Sequence, residues 1–334
     1  MIISWNSTNQ CNMYCDHCYR DSGMCSSDEL NTEEAKIMIE GIAAAGFKIM
    51  IFSGGEPLMR RDILELIAYS AETGLRPVLG SNGTLLSYKL ACELKKAGAM
   101  GIGISLDSMD EDNHDRLRQY KGAWKEAVQG MDFCKEAGLN FQIHTTVMDW
   151  NQSELELITD FAVDRGAVAH HFFFLVPTGR GVNIENTSLQ ASEYEEVITR
   201  IMEKQKTVSI ELKPTCAPQF MRIAVQMGLN ISYSRGCLAG TSYCIINPKG
   251  LVQPCAYLDL VVGDVRQKPF NIIWQDSTVL KKLRSMDYKG FCGQCKYKIK
   301  CGGCRARAAY YNNGDYMEAE PWCQYRGGEV HGNE

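Results

Sequence analysis

Short apolar runs alternate with longer amphipathic segments from residue 1 to about residue 180, and few folds accommodate such an alternation. Because strands that alternate with helices form parallel sheets, the pattern predicts an α/β fold, a partial (βα)6 TIM-like barrel. Functional residues are then expected in the loops that follow the strands. The six predicted strands are residues 2–5, 49–53, 77–81, 101–106, 140–147 and 170–176. The predicted helices are residues 33–45, 61–73, 87–97, 122–137, 152–165 and 191–206.

The chain changes character at about residue 213, where periodicity fades and cysteine, glycine and proline become frequent. Such a composition is typical of a small module held together by metal rather than by a large apolar core. We therefore predict two domains, a barrel at residues 1–212 and a cysteine-rich module at residues 213–334.

Composition argues against two kinds of partner. A formal net charge of -5 at pH 7 disfavours a broad nucleic-acid-binding face. No apolar run approaches the ~20 residues of a membrane span, so no membrane partner is expected. The chain opens on a predicted strand without a charged-then-apolar leader, and we expect a cytoplasmic protein.

The chain contains 15 cysteines, which fall mainly into two groups. Three lie within residues 11–18 and eight lie between residues 237 and 323. Such clustering favours metal ligation in a reducing compartment over disulfide bonding. Cys92 and Cys134 fall in helical patterns and are expected to be buried apolar residues, whereas Cys25 and Cys244 have no predicted role.

The first cysteine group, Cys11, Cys15 and Cys18, forms a CxxxCxxC loop directly after the first predicted strand. A structural zinc site requires four ligands, and no further residue completes one cleanly, although His17 and Cys25 are close in sequence. An iron–sulfur cube held by three thiolates instead leaves one iron open to a cofactor. The spacing therefore favours an open cluster over a closed zinc site.

Polar residues and glycines follow the next three strands and are expected at the same mouth of the barrel. Gly54-Gly55-Glu56-Pro57 follows the second strand and Ser81-Asn82 the third, while Ser105-Leu106-Asp107 ends the fourth. Turn formation and helix capping are the ordinary roles of such side chains, and these remain alternatives for Asn82, Ser105 and Asp107.

The cysteine loop, with aromatic His17 before its third cysteine, resembles the signature of the radical S-adenosylmethionine (radical SAM) enzymes. Gly54-Gly55-Glu56-Pro57 is similar to the second motif of that family. The resemblance implies a catalytic [4Fe–4S] cluster on Cys11, Cys15 and Cys18, whose open iron chelates the methionine part of SAM. It also implies a set of SAM-binding residues, in which a carboxylate lies beside the methionine ammonium: Gly54, Gly55, Glu56, Asn82, Ser105 and Asp107.

The resemblance also implies a reaction. A low-potential electron donor of the flavodoxin or ferredoxin type reduces the cluster, and the cluster passes one electron to the SAM sulfonium. Cleavage of a C–S bond then gives methionine and a 5′-deoxyadenosyl radical, which removes a hydrogen atom from the substrate. The protein contributes positioning and exclusion of water.

Seven of the eight cysteines in the second group, all but Cys244, resemble the SPASM extension of radical SAM enzymes, which holds auxiliary iron–sulfur clusters. Their pattern departs from the commoner one in one spacing, because two residues rather than three separate Cys301 from Cys304. One or two auxiliary [4Fe–4S] clusters are implied, with Cys216 as an eighth ligand. A small zinc knuckle at residues 292–304 is the alternative. The implied partition is Cys216, Cys237, Cys255 and Cys304 on one cluster, and Cys292, Cys295, Cys301 and Cys323 on the other.

Several segments, among them "KPTCAPQFMRIA" and "CGGCRARAAYYNNGD", look most like the haem-modifying branch of these enzymes. That resemblance implies an iron-porphyrinoid substrate and, specifically, conversion of two propionates of Fe-coproporphyrin III to vinyls. Arginine suits bidentate carboxylate binding, and Arg180 at the barrel mouth is the best candidate to bind the substrate. Further arginines lie in the cysteine-rich region, with surface charge as their ordinary interpretation: Arg222, Arg235, Arg305 and Arg307.

Three alternatives remain open. Related enzymes remove the acetate arms of porphyrinoids, and SPASM maturases crosslink ribosomal peptides. A non-catalytic iron–sulfur electron carrier is the third, although it would have no use for the Gly54–Pro57 motif. His170 and His171 are candidate iron ligands, but paired histidines beside three phenylalanines are more typical of packed strand residues.

Overall fold

The computed structural model describes residues 1–325, and ten of its strands form one sheet. The strands are β1 (Ile2–Asn6), β2 (Ile49–Ser53), β3 (Arg76–Ser81), β4 (Ile102–Ser105), β5 (Phe141–Val147), β6 (Ala169–Phe174), β7 (Glu211–Thr215), β8 (Tyr243–Ile246), β9 (Leu251–Gln253) and β10 (Gly263–Asp264). Their order in the sheet is β10-β9-β8-β1-β2-β3-β4-β5-β6-β7. Strands β1 to β7 pair in parallel, as expected for a barrel of βα units.

Helices connect the parallel strands and cover the outer face of the sheet. In the barrel they are α1 (Thr32–Ala44), α2 (Ile63–Glu72), α3 (Tyr88–Lys96), α4 (Glu111–Arg118), α5 (Ala123–Ala137), α6 (Leu155–Arg165) and α7 (Ala191–Gln205). Later helices are α8 (Phe220–Gln226), α9 (Phe270–Asp276), α10 (Thr278–Ser285), α11 (Gly290–Gln294) and α12 (Arg305–Tyr311). Short 3₁₀ segments lie at Pro57–Met59, Gln152–Glu154 and Gly179–Thr187. Within residues 1–325 no helix is long and apolar enough to cross a membrane.

The α/β barrel predicted from the sequence is confirmed, and all six predicted strands are present. The sheet nevertheless extends beyond six strands at both edges. At one edge β7 pairs with β6, and the predicted domain boundary between residues 212 and 213 falls inside this strand. At the other edge β8 pairs in parallel with β1, so that Tyr243 is opposite Ile2. The two edges therefore join the barrel to the C-terminal part of the chain.

Alternating side chains on the central strands separate an apolar outer layer from a more polar interior. In β5, Ile143, Thr145 and Val147 are buried, whereas Gln142 and His144 line the inside of the barrel. Successive residues of a strand point to opposite faces of the sheet. The helices therefore cover the buried set, whereas the set that includes Gln142 and His144 surrounds an internal cavity.

Residues after 240 contribute apolar side chains to the main core, which differs from the sequence-based expectation of a module held by metal alone. Phe270 and Trp274 of α9 pack against Phe47, with ring centroids 5.3 and 4.9 Å apart. Leu280 and Leu283 of α10 are fully buried in the same core. Hydrophobic packing therefore attaches this part of the chain to the barrel.

Candidate active site

A cavity of about 790 Å³ occupies the inside of the barrel. Its wall brings together residues that are far apart in the sequence: the first cysteine loop, the loops after β2 to β4, and the C-terminal cysteines. The following predicted site residues line it: Cys11, Cys15, Cys18, Gly54, Gly55, Asn82, Ser105, Arg180, Cys216, Cys237, Cys255 and Cys304.

The thiols of the first cysteine loop are oriented by backbone groups. The N–H of Met13 donates to Cys11 Sγ and the N–H of Ser22 donates to Cys18 Sγ, each at 3.5 Å. Burial raises the pKa of Cys11 to about 12, so its thiolate requires the positive charge of a bound metal. Three thiols on one loop at the cavity wall fit an iron–sulfur cluster that has one open coordination position.

Arg180 anchors the same loop from the 3₁₀ segment after β6. Its Nε donates to Cys15 O at 2.9 Å, and its Nη1 donates to Ser22 O and to Asp21 Oδ1 at 2.8 and 2.7 Å. The guanidinium also lies 3.7 Å from the centroid of the Tyr14 ring. Most of its donors are therefore used by the cysteine loop, and binding of a substrate carboxylate by Arg180 stays a prediction.

Gly54 and Gly55 hold the cysteine loop against the end of β2. The N–H of Gly55 donates to Thr8 O and that of Glu56 donates to Gln10 O, each at 2.8 Å. A Cβ at Gly55 would lie 2.2 Å from Gln10 O, and one at Gly54, where φ is +142°, would lie 2.5 Å from Thr8 O. Only glycine fits this approach of two backbones.

The Glu56 carboxylate is fully buried behind the cavity wall and joins β2 to β3. Its oxygens accept hydrogen bonds from Ser81 Oγ at 2.9 Å, Asn82 N at 2.8 Å and Leu58 N at 3.1 Å. Burial raises the pKa of Glu56 to about 7, although the hydrogen bonds oppose this shift. The contact with the methionine ammonium implied by the family resemblance stays a prediction, because Glu56 does not line the cavity.

Asn82 and Ser105 both lie at the predicted mouth. Asn82 Nδ2 donates to Asn12 Oδ1 at 2.8 Å, which connects β3 to the cysteine loop. Its Oδ1 accepts from Thr84 N at 3.0 Å, so the predicted turn role is also present. Ser105 Oγ is 3.4 Å from Ser81 O and faces the cavity.

Asp107 is not among the cavity-lining residues, and its partner Arg118 takes that position instead. Arg118 Nε and Nη2 both lie 2.8 Å from Asp107 Oδ2. Burial would raise the pKa of Asp107, but the Arg118 guanidinium overcomes this effect and holds that pKa at about 2. A direct contact between Asp107 and SAM stays a prediction, whereas Arg118 is a site residue that sequence reasoning missed. Its helix, α4, carries no apolar periodicity that could have revealed it.

His17 lies beside this ion pair, as the aromatic residue before the third cysteine. It is electrostatically close to Asp107 and Arg118, and burial lowers its pKa to about 4. Its Nδ1 is buried without a hydrogen-bond partner among the described residues. The imidazole is therefore neutral at pH 7, and it lines the cavity.

Cys216, Cys237, Cys255 and Cys304 lie close together on the wall of the main cavity, and their ligation of one cluster stays a prediction. The Cys216 thiol interacts electrostatically with each of the other three, and burial raises its pKa well above the usual value. Cys216 itself has a left-handed backbone with φ of 60°. Tyr194 Oη fixes this conformation by donating to Cys216 O at 3.0 Å.

The other four cysteines, Cys292, Cys295, Cys301 and Cys323, surround a second, smaller cavity. Backbone N–H groups again point at sulfur, with Tyr297 N 3.4 Å from Cys295 Sγ and Gly303 N 3.5 Å from Cys301 Sγ. Among residues 1–325 no three His, Cys, Asp or Glu side chains converge closely enough to hold a single metal ion.

A buried ion pair connects the two groups of four cysteines. Arg307 and Glu320 are both fully buried, with Nη1 and Oε2 3.1 Å apart. Glu320 Oε2 accepts from Cys304 N at 2.9 Å, while Glu320 N donates to Cys292 Sγ at 3.4 Å. Each group thus has one cysteine bonded to the same glutamate.

The four C-terminal arginines are buried rather than surface charges, and the protein supplies acceptors for each of them. Arg305 alone of the four lines the main cavity. The surface-charge interpretation is therefore wrong for this set. The acceptors include Glu195 for Arg222, Ile299 O for Arg235, Glu318 O for Arg305 and Glu320 for Arg307.

The two neighbouring histidines, His170 and His171, have different surroundings. His170 is fully buried between the hydroxyls of Thr145 and Thr159, at 2.8 and 3.0 Å, which is the packed role predicted for it. His171 instead lines the cavity. Cys134 and Cys244 are buried, Cys92 is half-buried and Cys25 is exposed.

Comparison with known proteins agrees with this geometry. The profile of the Radical SAM superfamily matches residues 5–162, and that of the SPASM iron–sulfur cluster-binding domain matches residues 237–302. The chain belongs to the radical SAM superfamily and is an enzyme of that type, which uses SAM and iron–sulfur clusters. Among its relatives, the AdoMet-dependent heme synthase of Methanosarcina barkeri is 41% identical, over 98% of this chain and 97% of that protein.

Other relatives extend the comparison. The AdoMet-dependent heme synthase of Nitratidesulfovibrio vulgaris is 41% identical over 97% of this chain and 92% of that protein. The Fe-coproporphyrin III synthase of Methanosarcina barkeri is 30% identical over 93% and 85%. Streptococcus suis SuiB bound to S-adenosylmethionine has the same fold, with a TM-score of 0.75 at 15% identity over 97% of this chain and 77% of that chain.

Proposed function

We propose that this enzyme acts in haem formation and converts two propionate arms of Fe-coproporphyrin III to vinyl groups. From each arm a hydrogen atom leaves the carbon next to the ring, and carbon dioxide and one electron then leave the remaining radical. One observation carries the proposal. The three-cysteine loop, the loops after β2 to β4 and four C-terminal cysteines all line the same cavity. The names of the relatives at 41% identity support the same substrate class.

The proposal assigns cofactors to three sets of cysteines. Cys11, Cys15 and Cys18 would hold the cluster that binds SAM, and each group of four would hold one auxiliary [4Fe–4S] cluster. Together with a reductant of the flavodoxin or ferredoxin type, these groups supply the hydrogen-abstracting radical and an acceptor for the electron. Four ligands in each auxiliary group leave no iron open, in contrast to the first loop.

The chain itself contributes position and charge. Gly54, Gly55 and Asn82 fix the loop that would hold the SAM cluster, and Ser105 faces the same space. Arg118, Arg180 and Arg305 place positive charge along the cavity wall although the chain is acidic overall. This charge suits a substrate with four carboxylates. The barrel wall would shield a reactive radical from water.

The decisive experiment incubates reduced, anaerobically reconstituted protein with SAM and Fe-coproporphyrin III. Formation of 5′-deoxyadenosine, with loss of carbon dioxide plus two hydrogens from each of two arms by mass spectrometry, is the expected result. A protein that neither binds SAM nor forms 5′-deoxyadenosine with any candidate substrate is not the proposed enzyme. An unchanged porphyrin, together with turnover of a precursor peptide, would show a maturase instead.

A second assay separates the proposed reaction from removal of acetate arms. Sirohaem that loses acetate arms while Fe-coproporphyrin III stays intact would assign this enzyme to the other step, a candidate favoured by the 30% identical Fe-coproporphyrin III synthase. Iron and sulfide analysis tests the cofactors, with about 12 iron atoms per chain expected for three [4Fe–4S] clusters. Zinc at residues 292–304 would disprove the second auxiliary cluster.

A further inference from the structure

A row of four side chains crosses the inner wall of the barrel. Ser105 on β4 is opposite His144 on β5, which is opposite His171 on β6. Lys213 on β7 is in turn opposite His171. All four line the main cavity. With about 4.8 Å between neighbouring strands, Lys213 lies about 14 Å from Ser105 along the sheet.

The middle of this row is flat and uncharged. The rings of His144 and His171 stack, with centroids 5.4 Å apart and planes within 7° of parallel. Burial lowers the pKa of both imidazoles, so neither carries charge at pH 7. The His144 ring lies directly over the backbone of β4 at Gly103. A Cβ at that position would be only 2.1 Å from His144 Cε1. The row therefore has a charged end only at Lys213.

Lys213 is a half-buried cation on the cavity wall. Its Nζ lies 4.5 Å from the centroid of the Tyr233 ring, and no described residue accepts a hydrogen bond or forms an ion pair with it. The neighbouring carboxylate of Glu211 lies 3.4 Å from His171 Nε2 and interacts with Lys213 only through longer-range electrostatics, without an ion pair. Burial lowers the pKa of Lys213, as expected for a desolvated cation. A desolvated cation without a close anion is unfavourable, and a bound anion would remove that cost.

Other cations on the cavity wall differ from Lys213. Arg118, Arg180 and Arg305 already donate to protein oxygens, as described above. Arg76, at the start of β3, is exposed to water and meets no comparable desolvation. Among the cations that line this cavity, Lys213 is therefore the one whose charge a bound anion would neutralise.

We propose that Lys213 binds a carboxylate of the porphyrinoid substrate, at the side of the cavity far from Ser105. The inference rests on the proposed function, in which two of four propionates react and two are retained. A retained propionate held by Lys213 would point the opposite edge of the macrocycle toward the SAM side. The uncharged His144–His171 surface between them suits an apolar ring.

The test is a titration of Fe-coproporphyrin III into reconstituted protein without SAM, followed by the porphyrin absorbance. Lys213→Met is expected to weaken binding by about 10- to 100-fold, the usual effect of losing a charged hydrogen bond. Lys213→Arg keeps the charge and is expected to stay within a few-fold of wild type. Lys268→Met, which removes an exposed lysine beside α9, is the matched control and should bind normally.

An iron porphyrin without carboxylates supplies the second arm, because Lys213→Met should bind it as tightly as wild type does. SAM binding should be unchanged in both Lys213 variants, and the melting temperature should not fall in either, because Lys213→Met only removes a desolvated charge. If wild type converts Fe-coproporphyrin III and Lys213→Met binds it equally well, the inference fails while the proposed function stands. Loss of SAM binding, or equal weakening toward the uncharged porphyrin, also overturns it. A wild-type protein that binds no porphyrin overturns both.

Discussion

The guanidinium of Arg118 directs two nitrogens at one oxygen of Asp107, each at 2.8 Å, in a place where Asp107 is fully buried. The second oxygen of that carboxylate accepts from Thr146 N at 2.8 Å. Asp107, which the family resemblance implies as a SAM-binding residue, thus positions Arg118 on the cavity wall. We expect any electrostatic effect on SAM at this position to come through Arg118.

Asp107→Asn is expected to destabilise the protein by about 3 to 5 kcal/mol, because it leaves the Arg118 charge buried and unpaired. The measurement is anaerobic thermal melting of the reconstituted protein. Asp110→Asn is the control, because Asp110 caps the exposed start of α4 and asparagine caps equally well. Equal melting temperatures for the two variants would contradict the assigned pairing.

Gly55→Ala is expected to abolish SAM-dependent 5′-deoxyadenosine formation. Its new Cβ would lie 2.2 Å from Gln10 O, so the cysteine loop would have to move away from the end of β2. Gly23→Ala is a matched control in the same loop, where a Cβ would meet nothing within 4 Å. Full activity of Gly55→Ala would show that the loop is not held by this contact.

Arg180→Met is expected to lower the occupancy of the first cluster without affecting the auxiliary ones. The variant loses the hydrogen bonds to Cys15 O, Ser22 O and Asp21 that order the cysteine loop. Iron content should fall by roughly one cluster's worth, and the electron paramagnetic resonance signal that responds to SAM should disappear. Unchanged iron with weaker porphyrin binding would instead support the substrate role predicted from sequence.

Stability is expected to fall on mild acidification because buried histidines cannot take up protons in the folded state. Burial lowers the pKa of His170 to about 3, whereas the unfolded chain binds that proton near pH 6.5. Between these values the unfolded state carries more protons, so stability is lost as pH falls. Between pH 7 and pH 5.5 this residue alone should lower the free energy of unfolding by about 1 kcal/mol.

His170→Gln should therefore show a smaller decrease in melting temperature over that pH range. Thr145→Val removes one hydrogen bond to His170 but keeps the buried imidazole, so its pH dependence should match wild type. Parallel curves for wild type and His170→Gln would contradict the assignment.

The sequence predicts most of the barrel because its signals are local. The first six strands are short segments that are apolar or alternate apolar with polar residues, and α1 begins where Asn31 and Glu34 form a capping box. The three-cysteine loop and the two glycines after β2 are short motifs with strict spacing. The eight further cysteines lie in two separate groups in the structure, whereas their assignment to two clusters comes from family resemblance and stays a prediction.

The missed elements are those whose signals depend on tertiary contacts. Strand β7 contains Lys213 and Pro214, which disfavour a strand on local grounds, although proline is tolerated at a sheet edge. Helix α4 is almost entirely polar, so neither it nor Arg118 could be predicted from periodicity. The orientation of Glu56 and Asp107 away from the cavity depends on hydrogen-bond partners that only the folded chain brings together.

The parallel pairing of β8 with β1 has a consequence for how the enzyme is made. Strand β1, which carries the first cysteine loop, obtains its second neighbour only from residues more than 230 positions later. A ribosome exposes the loop long before that neighbour exists, and until then one edge of β1 is open to pairing with other chains. We therefore expect C-terminal truncation before β8 to harm the cysteine loop at the other end of the chain, because it leaves one edge of β1 unpaired.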